Sequence, residues 1–422
     1  MRHFAPDNLA GPDIGGSVKA VIIVAVVIAV LVGAYLGASA VFAGKVRQEL
    51  AALKANGLPV TPAELAARYG EGENPTGRVL NAAAANLGND IKPRLSEIES
   101  LAAMSNLTAA DSVVMDKADV VSALMAVADS PPARFGLRYE DGFSASLPGI
   151  LPALPAFQKL LSIKARALAR AGRPDSALQV LRAAIRMVDV MGEPCLIHLL
   201  AGLVGFDSTC ALIVRYAPAA SPAAREAVRK ELSRLDLKAL LARAVATEAI
   251  MTEVTVLKQD PVTDGKSRAS FVPWLKMAPL RNSARYVALT VKRRNLDALA
   301  LPWWEGRGEV ERIKSLSKRG LYSQVAWVAS PNVLLFYART ERAAARQGLA
   351  LLALAASDYR TNSGRLPTRL EEFGAEIPPD PFTGRPLCYR ADSNGFTVWS
   401  TGADRTDDSG DAEKDIALRA EL

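Results

Sequence analysis

The residues best suited to chemistry in this chain form an acidic run near the C-terminus, GADRTDDSGDAEKD. Between Gly402 and Asp415 this run holds five aspartates, one glutamate, one arginine and one lysine. Hard cations such as Ca²⁺ take about six to eight oxygen ligands, which carboxylates and backbone carbonyls supply. The run is therefore either a loop that closes around a cation or a solvated acidic turn, and its residue types allow both.

The spacing of these acids differs from that of an EF-hand loop. Counted from Asp404, the sixth position is Ser409, where an EF-hand has glycine, and the twelfth is Asp415, where an EF-hand has glutamate. Closely spaced carboxylates nevertheless repel one another, so a folded loop would gain stability from a bound cation. The residues therefore favour a cation site of another kind over an EF-hand.

The sequence lacks the motifs of common enzyme classes. It contains no P-loop, no GxSxG or HExxH motif, and no GxGxxG run between a strand and a helix. Glu371 and Glu372 are neighbours near a predicted helix end, where adjacent side chains face different directions and do not form an acid–base pair. We predict a non-enzymatic protein, with a hydrolase of unfamiliar type as the less favoured alternative.

Histidine and cysteine are scarce, and their positions suggest packing rather than chemistry. The chain has two histidines and three cysteines, and no CxxC pair. Cys195 and Cys210 are predicted to share one long helix, where a separation of roughly 22 Å would exclude a disulfide. We expect the cysteines to be small buried residues, and His198, in the apolar run CLIHLL, to be packed within a helix.

The charge balance argues against a nucleic-acid partner. The chain carries 51 lysines and arginines against 44 aspartates and glutamates, a net charge of +7. Basic residues cluster only mildly, at 292–297 and 312–320, without the dominant basic stripe and interleaved aromatics of nucleic-acid proteins. The sequence predicts solvated helix faces at these places, and it indicates no small-molecule substrate.

Residues 20–44 predict a membrane anchor. These 25 residues carry no charge and are bracketed by Lys19 and Lys45. As a helix they would extend roughly 37 Å, enough for a tilted crossing of a hydrocarbon core about 30 Å thick. The alternative is a cleaved signal peptide, because ASA and VFA near the end of the segment look like cleavage sites. The apolar segment is longer than the roughly 7–15 residues of a signal peptide, so we predict an uncleaved anchor.

The orientation of the anchor follows from the lengths of the two flanks. Basic residues occur on both sides of the segment, so the positive-inside rule does not decide the orientation. A short N-terminal tail before a large C-terminal part usually stays inside the cell. We predict a single-pass protein of the cytoplasmic membrane, with its bulk outside the cytoplasm.

Composition and pattern together predict a mainly α chain. Half of the residues are apolar and only 6% are aromatic, which favours packed helices. We predict four parts: an N-terminal tail (1–19), the transmembrane anchor (20–44), an α-helical domain of helical hairpins (45–323) and a small α+β module (324–422). Three helices are expected over 153–218. Gly172 would end the first of them, and Pro174 with Asp175 would begin the second, as in tetratricopeptide-type hairpins.

The C-terminal module begins with a predicted long helix from Gln324 to Thr361. Two short strands follow, PLCYR and FTVWS, in which apolar and polar residues alternate. Two strands alone are marginally stable, so we expect them to pack on the long helix. Just before this module, Trp303 and Trp304 stand beside a turn and are predicted to pack in the core or between domains; an exposed binding surface is the alternative.

The last part of the chain resembles the major pseudopilin of type II secretion systems. Tyr359, Gly364 and Pro367 match that family's Tyr…Gly-x-x-Pro helix exit. The stretch PPDPFTGRPLCYR (378–390) matches its strand approach, and GFTVWSTGADRTDDSGDAEKDI (395–416) matches its ending, with Trp399 in place of tyrosine. No prepilin leader precedes the apolar segment, which argues against assembly into a fibre. The whole chain looks similar to large membrane-anchored bacterial envelope proteins.

The resemblance implies a fold and a calcium site for the module. The fold would be a small α+β arrangement like that of the pseudopilins, and the ion would be Ca²⁺. By position, Asp404 is the first side-chain ligand and Asp411 the second; Asp407, Asp408 and Asp415 are further candidates. Backbone oxygens near residues 400–402 would complete the coordination.

These observations lead to two main hypotheses for the function. In the first, the anchored protein binds other proteins of the envelope or of a secretion system, with the pseudopilin-like module at its end. In the second, the central hairpins form a scaffold that binds a peptide or protein, and the module is only structural. A cryptic hydrolase is the third and weakest reading.

Overall fold

The computed structural model describes residues 14–88, 107–144, 149–192, 195–258, 278–317, 333–373 and 377–422. In chain order, its α-helices are α1 Ile14–Ala55, α2 Pro62–Tyr69, α3 Pro75–Leu87, α4 Leu107–Asp116, α5 Ala118–Val127, α6 Leu154–Arg170, α7 Pro174–Asp189, α8 Leu196–Leu203, α9 Phe206–Tyr216, α10 Pro222–Arg234, α11 Leu237–Lys258, α12 Ala278–Ala300, α13 Trp303–Ser317 and α14 Val333–Ser363. Three strands follow: β1 Cys388–Asp392, β2 Gly395–Ser400 and β3 Ile416–Glu421. The prediction of a mainly α chain with an apolar N-terminal helix and a small sheet is confirmed.

Helix α1 contains the predicted anchor and continues beyond it. Its side chains from Ile22 to Gly37 are exposed, although nearly all are apolar, and this part is long and apolar enough to cross a membrane. The same is true by composition of Leu196–Ala219, but half of that stretch is buried in the helical core. From Ala38 onward, α1 is covered on one side by another helix, so one uninterrupted helix joins the apolar segment to the folded domain.

The second half of α1 packs in parallel along α12. Asn282 Nδ2 lies 3.4 Å from the carbonyl oxygen of Ser39, and Arg293 Nε donates to Glu49 Oε2 at 2.6 Å. The two contacts join residues that are 243 and 244 positions apart in the chain. Because this separation hardly changes along the helices, α1 and α12 run in the same direction. Along the same helix pair, Val46, Leu53 and Leu289 form a small buried apolar cluster.

The central hairpin forms as its sequence predicts. Helix α6 ends before Gly172, whose φ of +71° is a conformation that favours glycine, and α7 begins at Pro174. Helix α7 is buried on most of its surface, including Leu178, Leu181 and Ile185. The hairpin therefore lies inside the core of the helical domain.

The third helix predicted over 153–218 is in fact two helices, which is a correction. Helices α8 and α9 are separated at Val204–Gly205. The buried side chain of Gln158 holds the break: its Nε2 donates to the Gly202 carbonyl at 2.5 Å, and its Oε1 accepts from the Gly205 amide at 2.9 Å. Cys195 precedes α8 and Cys210 lies in α9, so they do not share a helix; both are buried, as expected.

Helix α14 lies at the centre of the molecule. Its predicted start at Gln324 falls in 318–332, outside the described residues, as does the predicted domain boundary at 323/324. On one side Gln347 Nε2 donates to the carbonyls of Leu232 and Leu235, at 2.6 and 2.9 Å. On another side Arg346 Nη1 donates to the Ala417 carbonyl at 3.0 Å. One continuous apolar core includes both the helical domain and the C-terminal module.

The module contains a strand that the sequence reading missed. The sheet is antiparallel, with strand order β1-β2-β3, and the first two strands lie where PLCYR and FTVWS predict them. The third strand is a correction, because the sequence predicts only two strands in this module. Ile416, Leu418 and Ala420 are buried and alternate with more exposed residues, a period-two pattern in IALRAE that marks a strand.

The paired tryptophans differ in their roles. Trp303 is only 3% exposed and packs edge-on against Tyr337 of α14 and Phe382 of the module, with ring centroids 4.9 and 5.5 Å apart. Its neighbour Trp304 is 40% exposed. The prediction of core and interdomain packing is confirmed for Trp303.

Replacing Trp303 therefore tests whether the module and the helical domain share one core. We expect Trp303→Ala to lower the free energy of unfolding by about 3–5 kcal/mol, because it leaves a large cavity where α13, α14 and the module meet. Trp304→Ala serves as the comparison and should cost clearly less, because this residue is 40% exposed and touches the module beside Gly384. Equal losses in denaturant unfolding of the two variants would contradict this packing.

Candidate functional site

The acidic run is the connection between two paired strands. Central strand β2 ends at Ser400 and β3 begins at Ile416, so residues 401–415 form a loop whose two ends are held by the sheet. The backbone of this loop turns sharply: φ is positive at Gly402 and Gly410, and also at the non-glycine residues Arg405 and Ser409. The loop is therefore an ordered part of the module.

Three of the candidate carboxylates accept hydrogen bonds from their own turns. Asp404 Oδ1 accepts from the Thr406 amide at 3.2 Å, Asp407 Oδ1 from the Ser409 amide at 2.9 Å, and Asp411 Oδ1 from the Glu413 amide at 3.0 Å. Each is the Asx-turn arrangement, in which a short side chain replaces a backbone acceptor. These acids shape the loop whether or not a cation is bound.

Two of the acids also bond to other parts of the module. Asp407 Oδ1 accepts a hydrogen bond from the indole Nε1 of Trp399 at 2.9 Å, which ties the loop to the central strand. Asp408 Oδ1 lies 3.1 Å from Lys414 Nζ in an exposed ion pair. Such a surface pair contributes little to stability, because water and salt screen it.

Asp415 differs from the other four aspartates because it is buried. Its side chain is 5% exposed; Oδ2 accepts from the Gly410 amide at 2.8 Å, whereas Oδ1 is buried and has no hydrogen-bond partner. Burial raises the pKa of Asp415, and the nearby charges of Asp407 and Asp408 raise it further. Among the described residues of the loop, this is the one buried side-chain oxygen without a hydrogen-bond partner.

The structure thus brings only some of the predicted ligands near one another. Electrostatic interactions link buried Asp415 to Asp407 and Asp408, although Asp407, like Asp404 and Asp411, is exposed and bonds to its own turn. Within the described ranges, no three His, Cys, Asp or Glu side chains are arranged as a metal-binding group. Among the predicted backbone ligands, the Gly402 carbonyl already accepts from the Arg405 amide at 3.2 Å.

One residue that supports the loop was not singled out from the sequence. Asp380 is buried and accepts from the Phe382 amide through Oδ1 and from the Thr401 amide through Oδ2, at 2.9 and 3.2 Å. It therefore joins the DPFTG turn to the first residue of the acidic loop. The signal in the sequence was that turn motif, in which aspartate before proline commonly accepts from the following amides.

A buried carboxyl lies where α11, α14 and the module approach one another. Glu341 is 0% exposed, neither of its oxygens has a hydrogen-bond partner, and Lys238 Nζ lies 3.4 Å away. Burial raises the pKa of Glu341 to about 7; Lys238 opposes this shift, and the charge of Asp380 adds to it. The neighbouring phenol of Tyr337 is occupied, because its hydroxyl donates to the Leu301 carbonyl at 3.0 Å.

A second buried ion pair joins α11 to α12. Lys292 Nζ lies 3.6 Å from Glu248 Oε2, and the other carboxylate oxygen of Glu248 accepts from the Leu196 amide at 3.2 Å. Burial lowers the pKa of Lys292 and raises that of Glu248, and each partner opposes the shift of the other. His198, on the adjacent helix α8, is buried as predicted.

Glu341 makes stability depend on pH in a specific direction. Its pKa is higher in the folded chain than the ordinary 4.5, so the folded state keeps a proton that the unfolded state loses as pH rises. We expect the free energy of unfolding to fall by about 3 kcal/mol between pH 4.5 and 7 from this group alone. In Glu341→Gln this contribution should disappear from denaturant unfolding curves, while the exposed control Glu371→Gln should retain it. Identical pH profiles for wild type and Glu341→Gln would contradict the assignment.

Comparison with known proteins provides no template for this fold or for the acidic loop. The chain matches no protein-family model, no curated protein and no solved structure at a significant level. Its function is therefore argued from its own residues.

Proposed function

We propose that the chain is a single-pass protein of the cytoplasmic membrane that binds other envelope proteins through its extracytoplasmic part. The observation that supports the proposal is α1, whose apolar side chains are exposed from Ile22 to Gly37 and whose second half is built into the folded domain. A large exposed apolar surface on one helix is costly in water and favourable in a bilayer.

The packing of α1 favours an anchor that stays attached. Cleavage after ASA or VFA would cut the helix at residues 40–43, inside its contact with α12. It would separate Ser39 from Asn282, and it would place a new N-terminus near Phe42, whose ring lies 6.3 Å from that of Tyr286. A signal peptide has no reason to pack against the mature domain, whereas an anchor that positions the domain does.

The C-terminal module supplies a plausible contact surface for a partner. Its sheet has β1 at one edge, beside β2 alone, and an edge strand can receive a strand from another protein. The pseudopilin-like motifs of residues 356–416 favour a partner in secretion or envelope assembly, and nothing in this proposal requires an enzymatic reaction. The alternative, a scaffold that binds peptides through the central hairpin, is less favoured because α7 is buried on most of its surface.

Membrane fractionation and affinity purification test this proposal together. We expect the chain to keep its full 44.9 kDa, to resist alkaline carbonate extraction and to be digested by protease added outside the cytoplasm. We also expect tagged protein from detergent-solubilised membranes to recover secretion or pilus components. Cells expressing untagged protein provide the background control.

Two outcomes would contradict this proposal. A soluble product shorter by the first forty or so residues would show that the segment is a signal peptide. An anchored protein that recovers no secretion or pilus component would overturn the proposed partner class while leaving the anchor in place.

We also propose that the acidic loop binds Ca²⁺, as the pseudopilin resemblance implies. The structural observation in favour is the buried, unsatisfied Oδ1 of Asp415 beside the carboxylates of Asp407 and Asp408. Because no three acids of the described residues are arranged as a metal-binding group, the side chains of Asp407 and Asp408 would have to move toward Asp415 to hold the ion. Asp404 and Asp411 would contribute less than their positions in the sequence suggest. The ion would supply positive charge that offsets carboxylate repulsion in the loop.

Calcium should therefore stabilise the module through Asp415. We expect millimolar Ca²⁺ to raise the thermal unfolding midpoint by several degrees, about 1–2 kcal/mol of stabilisation. Asp415→Asn should abolish most of the shift, while Glu413→Gln, an exposed acid of the same loop, should keep it. No shift in the wild type, or the same shift in Asp415→Asn, would rule out this site.

A further inference from the structure

A cleft of about 920 Å³ lies in the helical domain and is lined by no residue of the acidic loop. It is bounded by the end of α2, the start of α3, the segment 131–134, residues 189–192 and the start of α11. Its volume is that of a site for a small organic ligand. Four arginines line it: Arg68, Arg134, Arg234 and Arg243.

The positive charge in this cleft is not balanced. Arg234 pairs with Asp189 at 2.7 Å, and Arg68 donates to the Gly57 carbonyl at 2.9 Å. The guanidinium groups of Arg134 and Arg243 have no ion pair or hydrogen bond with any described residue. The remaining acid, Asp236, caps the start of α11 by accepting from the Ala239 amide at 2.9 Å. The cleft therefore presents two cationic groups without an internal partner.

The backbone around Arg134 is fixed from both sides. The side-chain Oδ1 of Asn74 accepts from the backbone amide of Arg134 at 3.0 Å, and the backbone amide of Asn74 donates to the Arg134 carbonyl at 3.2 Å. On the other side, the Ala133 carbonyl accepts from the Gly192 amide at 2.7 Å. Arg134 is half-buried and its Nε is buried without a partner, although burying an unpaired cation costs free energy.

Glycines make room for this arginine. A Cβ at Gly70 would lie 1.7 Å from Arg134 Nη1, and a Cβ at Gly77 would lie 2.1 Å from the Arg134 carbonyl oxygen. Gly70 also has a φ of +86°, which favours glycine. Asn74 thus fixes the Arg134 backbone, and these glycines leave the space that its side chain and carbonyl occupy. An unpaired guanidinium at the wall of a cleft, on a fixed backbone, is expected of a pre-organised binding group.

We propose that this cleft binds a small organic anion, with a carboxylate or phosphate group at Arg134 and Arg243. A guanidinium matches both oxyanions through paired hydrogen bonds. The apolar part of the ligand would lie against Tyr69, Met191 and Leu240, which also line the cleft. This proposal goes beyond the proposed role as a membrane-anchored protein that binds other proteins. It also differs from the prediction from the sequence, which indicates no small-molecule substrate.

The position of the cleft favours a soluble ligand over a lipid head group. Helix α1 continues for eleven residues beyond Gly44, a rise of roughly 16 Å along its axis. Arg68 contacts Gly57, just beyond the end of that helix. In the proposed membrane-anchored state, the Arg68 side of the cleft therefore lies outside the head-group layer, which is only about 5–8 Å thick on each side of the hydrocarbon core.

Thermal unfolding of the full chain in non-ionic detergent tests the proposal with matched probes. N-acetyl-leucine and N-acetyl-leucinamide share one apolar body and differ in the carboxylate, and phenyl phosphate offers the other oxyanion. We expect a saturable rise in the unfolding midpoint with one or both anions and none with the amide. The anion that binds more tightly shows whether the cleft prefers a carboxylate or a phosphate.

Substitutions then locate the binding. Arg134→Gln and Arg243→Gln should each weaken the apparent Kd by about tenfold or more, and Arg134→Lys, which keeps the charge but loses the paired geometry, should also weaken it. Arg215→Gln, an exposed arginine of α9 outside the cleft, should bind as the wild type does. Equal shifts with the acid and the amide, no shift with either anion, or wild-type affinity in both Gln variants would overturn the proposal. Because Arg243 is exposed, its variant keeps the test valid if Arg134→Gln does not fold.

Discussion

The structure depends on the burial of α14 between the helical domain and the sheet. An ordinary surface helix buries one apolar stripe, whereas α14 buries residues around most of its circumference, many of them alanines such as Ala345, Ala350 and Ala353. Small side chains allow helices and strands to approach on several sides. Polar residues of α14 at these contacts donate to carbonyls at the end of α10 and in β3, which satisfies backbone acceptors at the packed surfaces.

The same helix explains why the module cannot be understood as a separate unit. Buried apolar residues of β2 and β3 belong to the same apolar core as α14 and the helical domain. The stability of the module comes from α14 and from Trp303, which contacts α14 and the module at once. Near the C-terminal end of α14, Arg225 of α10 is buried and bonds to Asp358 at 2.5 Å and to Thr361 at 2.8 Å. Charged contacts therefore join α10 to α14 in addition to apolar packing.

The features that could be predicted from the sequence are those with local causes. Gly172 and Pro174 fix the hairpin turn, and alternation marks β1 and β2. The break between α8 and α9 could not be predicted, because the side chain that holds it, Gln158, is 47 residues from Gly205. Likewise, composition located the acidic loop, but only the fold shows that Asp415 is buried while Asp404 bonds to its own turn. The role of Arg134 could not be predicted from the sequence, because Asn74, which fixes its backbone, lies 60 residues away.

The length and continuity of α1 give the protein a mechanical property. Its 42 residues form a helix roughly 63 Å long. The first part is apolar and exposed, and the second part packs along α12. A change in the tilt of the apolar part by about ten degrees would swing the far end, at an arm of about 30 Å, by roughly 5 Å. Arg68, one of the residues that line the cleft, contacts Gly57 just beyond that end. In the proposed membrane-anchored state, a change in helix tilt would therefore displace the α2 side of the cleft.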